Sequence, residues 1–250
     1  MPIVGTVTKR PAVTIGTDPA LAAAGAMGTP TEDRYRLQVS EQKIQILGAS
    51  PRAALYATYD LLERLGCGWC VPGDDTVPKK ATVSIAPVDV DTTPAFEYRK
   101  LVDFPMLSLA QSMAIVDFIA KNRMNWYHPA ENEFGEPKKW YEWREKLVPE
   151  LKKRGLHLDF GGHTMHTWLP PEYAKDHPDW FAYNGGERKP PTLCVANLEM
   201  TAELIRNLQR FLDRCPEVDV VDLWHPDGEV SCHCPACTQG LVPAEAKGKR

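Results

Sequence analysis

Alternating hydrophobic and polar residues near the start of the chain predict a β-hairpin followed by a helix. Apolar side chains alternate with polar ones over Tyr35–Val39 and again over residues 44–46, as expected for two half-buried strands joined by a turn. Ser50 and Pro51 suit the cap and first position of a helix, and Gly66 suits the left-handed position after its end. We therefore predict an antiparallel hairpin packed against one helix.

Two weaker patterns complete this first region. Residues 12–15 and 83–85 carry short β-branched stretches that predict a first and a last strand. Residues 88–94 separate this region from the rest of the chain and are interpreted as a linker. Residues 1–93 are therefore predicted to form a small α+β auxiliary domain.

After Pro94 the pattern changes to strands that alternate with helices. Apolar runs predict strands at residues 96–102, 124–127, 156–160 and 218–224, and helical periodicity predicts helices at residues 111–121, 138–154 and from Asn197 to before Pro216. Such alternation favours a parallel sheet with right-handed crossovers. The long insertion at residues 161–196 has the length of a functional loop.

The predicted fold class is α/β, with the auxiliary domain followed by the first half of a (β/α)8 barrel over residues 94–250. A complete barrel needs eight strand-helix units, whereas about four are predicted here. The chain is therefore interpreted as a fragment whose partner is the missing C-terminal half of the barrel. The alternative is a small, complete α/β domain with an exposed edge on its last strand.

Composition narrows the range of partners. The net charge of -4 and the pI near 6.0 give no polycationic surface, so nucleic acid is not expected as a partner. No apolar run reaches the ~20 residues of a membrane span, and the first eleven residues lack the apolar core of a secretion signal. Seven cysteines, an odd number, do not indicate a small disulfide scaffold.

The stretch from Val218 to Cys237 carries the densest chemistry. Its apolar, β-branched start predicts a strand covered on both faces. Asp227 and Glu229 come after that strand, at the end where parallel α/β folds place their active sites. A carboxyl group there can serve as a general acid, whereas the alternative is a solvated Asp-Gly turn.

Cys232, Cys234 and Cys237 form a C-x-C-x-x-C motif that predicts a metal site, most plausibly a structural zinc site. His233, His225 or a residue from outside the motif would supply the fourth ligand. The alternative is a set of reduced thiols that pack a loop, or a disulfide within it.

Two sequence blocks resemble known families. GASPRAALYATYDLLERLGCGWCVPG, followed by PAFEYR, resembles the N-terminal domain of the α-glucuronidases of glycoside hydrolase family 67 and the related domain of bacterial β-hexosaminidases and chitobiases. HPDWFAYNGGERKPPTLCVANLEM, followed by the cysteine motif, resembles domain-of-unknown-function family 4838 of polysaccharide-degrading bacteria. The resemblance spans about residues 34–237.

This resemblance implies a glycoside hydrolase-like protein that acts on a polysaccharide or oligosaccharide bearing uronic acid or N-acetyl groups. In those families the general acid lies just beyond the fourth barrel strand, which assigns the role to Asp227 or Glu229, although Gly228 separates two residues that are adjacent in hexosaminidases. No cofactor is required for such chemistry. The resemblance also implies a secreted or periplasmic protein. The fragment alone is expected to be inactive.

Several further residues are predicted to contact the sugar. They are His163, His166, Arg99, Asn125, Trp168, Trp180, Trp224 and His225. The alternatives are loop histidines, aromatic residues that pin the insertion, and an internal salt bridge for Arg99. Two other functions also remain open: a non-catalytic carbohydrate-binding module and a structural zinc-binding scaffold.

Overall fold

A computed structural model describes residues 11–23, 31–79, 81–130, 137–225 and 231–239. The strands are β1 (Ala12–Thr17), β2 (Tyr35–Val39), β3 (Lys43–Gly48), β4 (Gly68–Val71), β5 (Asp74–Thr76), β6 (Val88–Thr92), β7 (Lys100–Asp103), β8 (Trp126–Pro129), β9 (His157–Gly162), β10 (Phe181–Asn184), β11 (Glu187–Leu193) and β12 (Val220–Leu223). The helices are α1 (Ala20–Ala23), α2 (Pro51–Arg64), α3 (Leu109–Lys121), α4 (Lys138–Arg154), α5 (Met165–Trp168), α6 (Leu198–Arg214) and α7 (Pro235–Thr238). The predicted mixture of helices and strands is confirmed.

The chain forms two compact units. The first comprises Met1–Asp103, Leu107–Tyr127 and Lys146–His157, and the second comprises Phe104–Met106, His128–Glu145 and Leu158–Arg250. Strand order places β7, β8, β9 and β12 in one sheet as β12-β9-β8-β7. β12 runs parallel to β9, as predicted for consecutive strand-helix units.

The first unit is built around a sheet in the order β1-β3-β2-β6. β2 and β3 pair antiparallel, as predicted, and β1 joins β3 in parallel. Helix α2 covers this sheet, and its Tyr56 and Leu61 pack with Leu37 and Ile46 of the strands. The Ser50 side chain accepts a hydrogen bond from the Ala53 N–H, and Gly66 has a φ of 96°. Both predicted helix signals are therefore confirmed.

The last strand of this sheet was predicted in the wrong place. Residues 83–85 form no strand, and Val83 is exposed. The stretch interpreted as a linker instead contains β6, which pairs antiparallel with β2. Val88 and Val90 pack against the core beneath α2, while Asp91 faces outward and binds Arg34 at 2.8 Å. Because aspartates alternate with these valines, the period-two pattern of a strand resembles a polar linker.

The second unit contains β12, a short hairpin and α6. β10 and β11 pair antiparallel within the region predicted as a long insertion. Asn197 caps α6 as predicted, because its side chain accepts a hydrogen bond from the Met200 N–H. Met200, Leu204 and Phe211 form the inward stripe of α6, and Ile205 on another face is 57% exposed.

β12 is less buried than predicted. Val220 is 42% exposed and Trp224, just beyond the strand, is 40% exposed. In the described part of the chain β12 pairs only with β9, so one of its sides has no strand beside it. The prediction of a strand covered on both faces is therefore wrong for this structure. No helix among the described residues is long and apolar enough to cross a membrane.

Candidate functional site

Three polar side chains of the second unit, from the neighbouring strands β8, β9 and β12, lie close together. Nδ1 of His128 lies 3.3 Å from Oδ2 of Asp159 and 3.7 Å from Oδ2 of Asp222. His128 and Asp159 are buried, and Asp222 is partly exposed. Side chains alternate along a strand, so residues two apart share one face of the sheet. In the parallel register of β9 and β12, Asp159 and Asp222 lie on the same face, and both carboxylates lie beside the His128 imidazole. We call His128, Asp159 and Asp222 the strand cluster.

An indole ring lies against this strand cluster. The ring of Trp224 stacks on that of His128, with centroids 5.7 Å apart and 14° between the planes. His163 meets the same indole edge-on, with centroids 5.3 Å apart. The backbone N–H of Trp224 donates to the Gly162 carbonyl at 2.8 Å, which ties the residue after β12 to the end of β9. Trp224 therefore presents a fixed, half-exposed aromatic face.

The loops after β9 and β12 also hold each other. Nδ1 of His163 lies 2.6 Å from the carbonyl oxygen of His225, so the ring nitrogen donates there in the corresponding tautomer. The Thr164 hydroxyl donates to the carbonyl oxygen of Asp222 at 3.2 Å. Two of the predicted sugar-contacting histidines, His163 and His225, are thus brought together beside Trp224.

Gly161 explains how the two strands approach so closely. A Cβ atom at this position would lie 2.0 Å from the carbonyl oxygen of Asp222, and the φ of Gly161 is 151°. No other residue type fits that contact without moving β12. The glycine therefore helps to set the spacing at which Asp222 faces His128.

This arrangement suits the binding of a neutral polar ligand with an apolar face. Binding sites of this kind combine an aromatic or hydrophobic wall with a few fixed polar groups. The ligand atoms of the strand cluster lie within 4.8 Å of one another, close enough for a divalent metal ion. The imidazole of this cluster also supports the Trp224 indole by stacking against it.

The two predicted catalytic residues, Asp227 and Glu229, lie outside the described residues. In the sequence they come three and five positions after Trp224. Their role as general acid stays a prediction.

Arg99 and Asn125 are held by contacts within the first unit. Nη2 of Arg99 lies 2.5 Å from Oδ2 of Asp33, and its Nε donates to the Arg123 carbonyl at 2.7 Å. The Asn125 amide accepts from the Arg99 N–H and donates to the Glu97 carbonyl. These contacts form the internal salt bridge that was the alternative for Arg99. A sugar-binding role for either residue stays a prediction.

His166, Trp168 and Trp180 are buried within the second unit. The Trp168 ring packs on that of Phe211 with centroids 4.6 Å apart. The Trp180 ring stacks on that of His177 at 4.0 Å. The alternative interpretation, in which aromatic residues pin the insertion as a loop, requires such packing.

Two cavities are lined by few of the predicted site residues. One of about 610 Å³ in the first unit is lined by charged residues that include Arg52, Lys152 and Arg154, and by none of the predicted site residues. Another of about 320 Å³ in the second unit is lined by Trp168 together with Tyr141 and Arg210. Neither cavity includes Trp224.

Comparison with known proteins identifies the family. The sequence profile of the Domain of unknown function (DUF4838) family matches residues 69–247. The chain belongs to the DUF4838 family. This confirms the resemblance drawn from the cysteine motif and the block before it. No curated protein matches this DUF4838 chain.

Solved structures with a similar fold are β-N-acetylhexosaminidases and related enzymes. A β-N-acetylhexosaminidase from Bacteroides fragilis is 16% identical with a TM-score of 0.55 over 90% of this chain and 47% of that protein. An inactive mutant of a GH20 exo-β-N-acetylglucosaminidase from Vibrio harveyi is 14% identical with a TM-score of 0.53, over 84% of this chain and 37% of that protein. A chitobiase from Flavobacterium johnsoniae is 19% identical with a TM-score of 0.50, over 80% and 32%. The chain thus spans less than half the length of these proteins, and at such identities the likeness shows the fold alone.

The cysteine motif of the DUF4838 chain gains a fourth member in the structure. Cys194, directly after β11, lies beside Cys232, Cys234 and Cys237, and the four sulfur atoms all lie within 4.8 Å of one another. His233 is exposed and is not part of this group. Cys194 is 38 positions away from the motif, so spacing alone could not reveal it. Its only local signal is its place at the end of a hairpin strand.

The local environment gives these thiols different pKa values. A backbone hydrogen bond from Cys237 lowers the pKa of the Cys234 thiol to about 6. Burial raises the pKa of the Cys237 thiol to about 12, and it also raises the pKa of Cys194. Cys234 therefore favours the thiolate form at neutral pH even without a bound ion.

Proposed function

We propose that this DUF4838 chain contributes the substrate-binding half of a glycoside hydrolase-like site that acts on a polysaccharide or oligosaccharide. The observation that carries the proposal is the half-exposed Trp224, fixed on the buried His128 ring at the end of parallel strands. Active sites of parallel α/β folds lie at this end of the strands.

The exposed indole face suits a sugar ring. Pyranose rings present axial C–H groups on one face, and aromatic side chains bury such faces at low conformational cost. His163, edge-on to the indole, and His225 beside it would hydrogen-bond the hydroxyl groups at the rim. The strand cluster holds the platform from behind. Arg99, Asn125, His166, Trp168 and Trp180 are not included, because their described contacts are with the protein itself.

The acid in this proposal is Asp227 or Glu229. Either residue comes soon enough after Trp224 in the chain to reach a bond at the indole. A carboxyl group beside an apolar wall keeps its proton to higher pH and can protonate the leaving oxygen. Hydrolysis then proceeds through an oxocarbenium-like transition state.

We propose N-acetylhexosamine-terminated glycans as the first substrate class and uronic acid-bearing glycans as the second. The first is supported by the names of the proteins with a similar fold, a hexosaminidase, an exo-acetylglucosaminidase and a chitobiase. The second is supported by the resemblance of the first region to α-glucuronidases. Since the chain spans less than half of those proteins, turnover is proposed for the whole protein that contains it.

The domain organisation belongs to the same proposal. Residues 1–93 would form the auxiliary domain and residues 94–250 the first half of a (β/α)8 barrel. The consecutive order of β7, β8, β9 and β12 supports this half-barrel. The 250 residues by themselves are expected to bind a saccharide without cleaving it, because they span less than half the length of the enzymes with a similar fold.

The test uses the longest natural protein that contains this chain. Hydrolysis of a chromogenic N-acetyl-β-glucosaminide and of glucuronosyl oligosaccharides is measured for the unchanged protein, Asp227→Asn, Glu229→Gln and Glu199→Gln, the last an exposed control on α6. One of the first two variants should lose about 100-fold or more in kcat, while the control keeps its activity. Full activity of both variants would refute the acid assignment. Saccharide binding without turnover by the unchanged protein would favour a carbohydrate-binding module.

A further inference from the structure

We infer that Cys194, Cys232, Cys234 and Cys237 form a tetrahedral zinc site. The four sulfur atoms come from two separate stretches of the second unit: the end of β11 and the segment that leads into α7. Three of the four cysteines are buried and Cys237 is partly so. Their convergence, rather than the motif alone, carries the inference.

The distances match a metal-centred tetrahedron. Zinc–sulfur bonds of ~2.3 Å at tetrahedral angles place sulfur atoms about 3.8 Å apart. Sγ of Cys194 lies 3.7 Å from Sγ of Cys234 and 3.8 Å from Sγ of Cys237. A disulfide needs a separation of ~2.05 Å, and all four thiols are free here. The spacing therefore fits ligands around one ion better than two cross-links.

The surrounding backbone holds the ligands as metal-binding turns do. The Tyr183 N–H donates to Sγ of Cys232 at 3.3 Å, and the His233 N–H donates to the Tyr183 carbonyl at 2.7 Å. Cys234 occupies the N-cap position of α7, and Cys237 lies within its single turn. Hydrogen bonds to the sulfur atoms orient ligands and stabilise thiolate charge.

Charge and packing around the site agree with this assignment. Four thiolates around Zn²⁺ carry a net charge of −2 when all are deprotonated, and the Cys194 sulfur raises the pKa of the nearby Arg188 guanidinium. Ala182 completes the small apolar cluster around the sulfur atoms. A closed set of four thiolates leaves no open position for water, so the site is structural rather than catalytic. It would join the β10–β11 hairpin to residues 231–239.

The assignment goes beyond the proposed function and does not depend on it. Thiolates select soft ions, and a tetrahedral set of four sulfur atoms suits zinc or iron. Zinc is the better match for a structural knuckle that needs no redox chemistry. Binding replaces thiol protons with metal–sulfur bonds and releases those protons to solvent, so no oxidant or reductant takes part.

The experiment measures the metal content of the chain purified without chelators, with Cys194→Ser and, as a matched control, Cys70→Ser, an exposed cysteine of the first unit. We expect one zinc ion per chain in the unchanged protein and in the control. Cys194→Ser should retain less than a tenth of that zinc, or bind it at least tenfold more weakly. Chelation should lower the Tm of the unchanged protein.

A second measurement keeps the inference falsifiable if Cys194→Ser fails to fold. Co²⁺ added to the reduced, metal-free unchanged protein should give the charge-transfer and d–d bands of a tetrahedral tetrathiolate at one equivalent, while it blocks four of seven thiols from reaction with a thiol reagent. Iron in place of zinc, a folded chain in which these four thiols react and no metal is bound, or disulfides among these four cysteines would each overturn the assignment. None of these outcomes bears on the hydrolysis test.

Discussion

Nη2 of Arg99 lies 2.5 Å from Oδ2 of Asp33, and the Asp33 side chain is completely buried. The other oxygen of the same carboxylate accepts a hydrogen bond from Nε of Arg52 at 2.7 Å. One buried carboxylate therefore bridges two guanidinium groups within the first unit. Arg99 is thus part of an internal ion network, whatever else it contacts.

Removal of this carboxylate should strongly destabilise the chain. Asp33→Ala removes the carboxylate that joins Arg52 to Arg99 and leaves the largely buried Arg99 without its counter-charge, which costs about 3–5 kcal/mol in the free energy of unfolding. Glu32→Ala is the matched control, since Glu32 pairs with Arg52 but is 65% exposed and should cost less than about 1 kcal/mol. Urea denaturation measures both. Equal effects of the two substitutions would show that Asp33 is not the centre of the network.

Gly161→Ala should disrupt the second unit. The added Cβ would overlap the Asp222 carbonyl, a backbone atom that cannot rotate away, at a φ that disfavours any side chain. We expect a loss of at least about 3 kcal/mol of stability or failure to fold. Gly16→Ala in β1 is the control, because a Cβ there meets nothing within 4 Å. A Gly161→Ala chain with unchanged Tm would contradict the close approach of β9 and β12.

The stability of the first unit should depend on pH through Asp117. Burial alone would raise the pKa of this carboxyl, but hydrogen bonds from Lys121 and Arg154 outweigh it and lower the pKa overall. A carboxyl whose pKa is lowered by folding contributes stability above its unfolded pKa of ~3.9 and loses it as pH falls through the folded value.

Asp117→Asn should therefore cost roughly 1 kcal/mol at pH 7, and the difference from the unchanged chain should shrink as the pH falls below about 4. Urea denaturation at several pH values measures this difference. Asp176→Asn serves as the control because Asp176 is exposed. A difference that stays constant down to about pH 2, or that grows on acidification, would show that the ion pair is not its source.

The helices and their ends could be predicted from local sequence. α4 spans Lys138–Arg154 as predicted. α2 and α6 begin directly after their N-caps, Ser50 and Asn197, because these caps act through neighbouring residues. β6 could not be recognised as readily. Its outward positions carry Asp89 and Asp91, so the alternation resembles a polar linker until its pairing with β2 is known.

The candidate site could be recognised only once the fold was known. His128, Asp159 and Asp222 lie on three strands that are far apart in the chain, and Cys194 is distant from its three partners. A local signal does exist for the strand cluster, since each member is a titratable residue inside an otherwise apolar strand and such residues are rarely buried without partners. This signal indicates that each of these residues has a partner, but it does not identify the partner residue.

Saccharide binding at Trp224 is the most direct test of the proposed site. Isothermal titration of the chain with N-acetylglucosamine oligosaccharides and with glucuronosyl oligosaccharides should show saturable binding of one class. Trp224→Ala should weaken the saccharide affinity roughly tenfold, equal to about 1.4 kcal/mol. The control Phe96→Ala removes another exposed aromatic ring and should leave the affinity unchanged. Because Trp224 is half-exposed, its variant should keep its circular dichroism spectrum. Equal affinity of both variants, or no saccharide bound by the unchanged chain, would contradict a sugar platform at this residue.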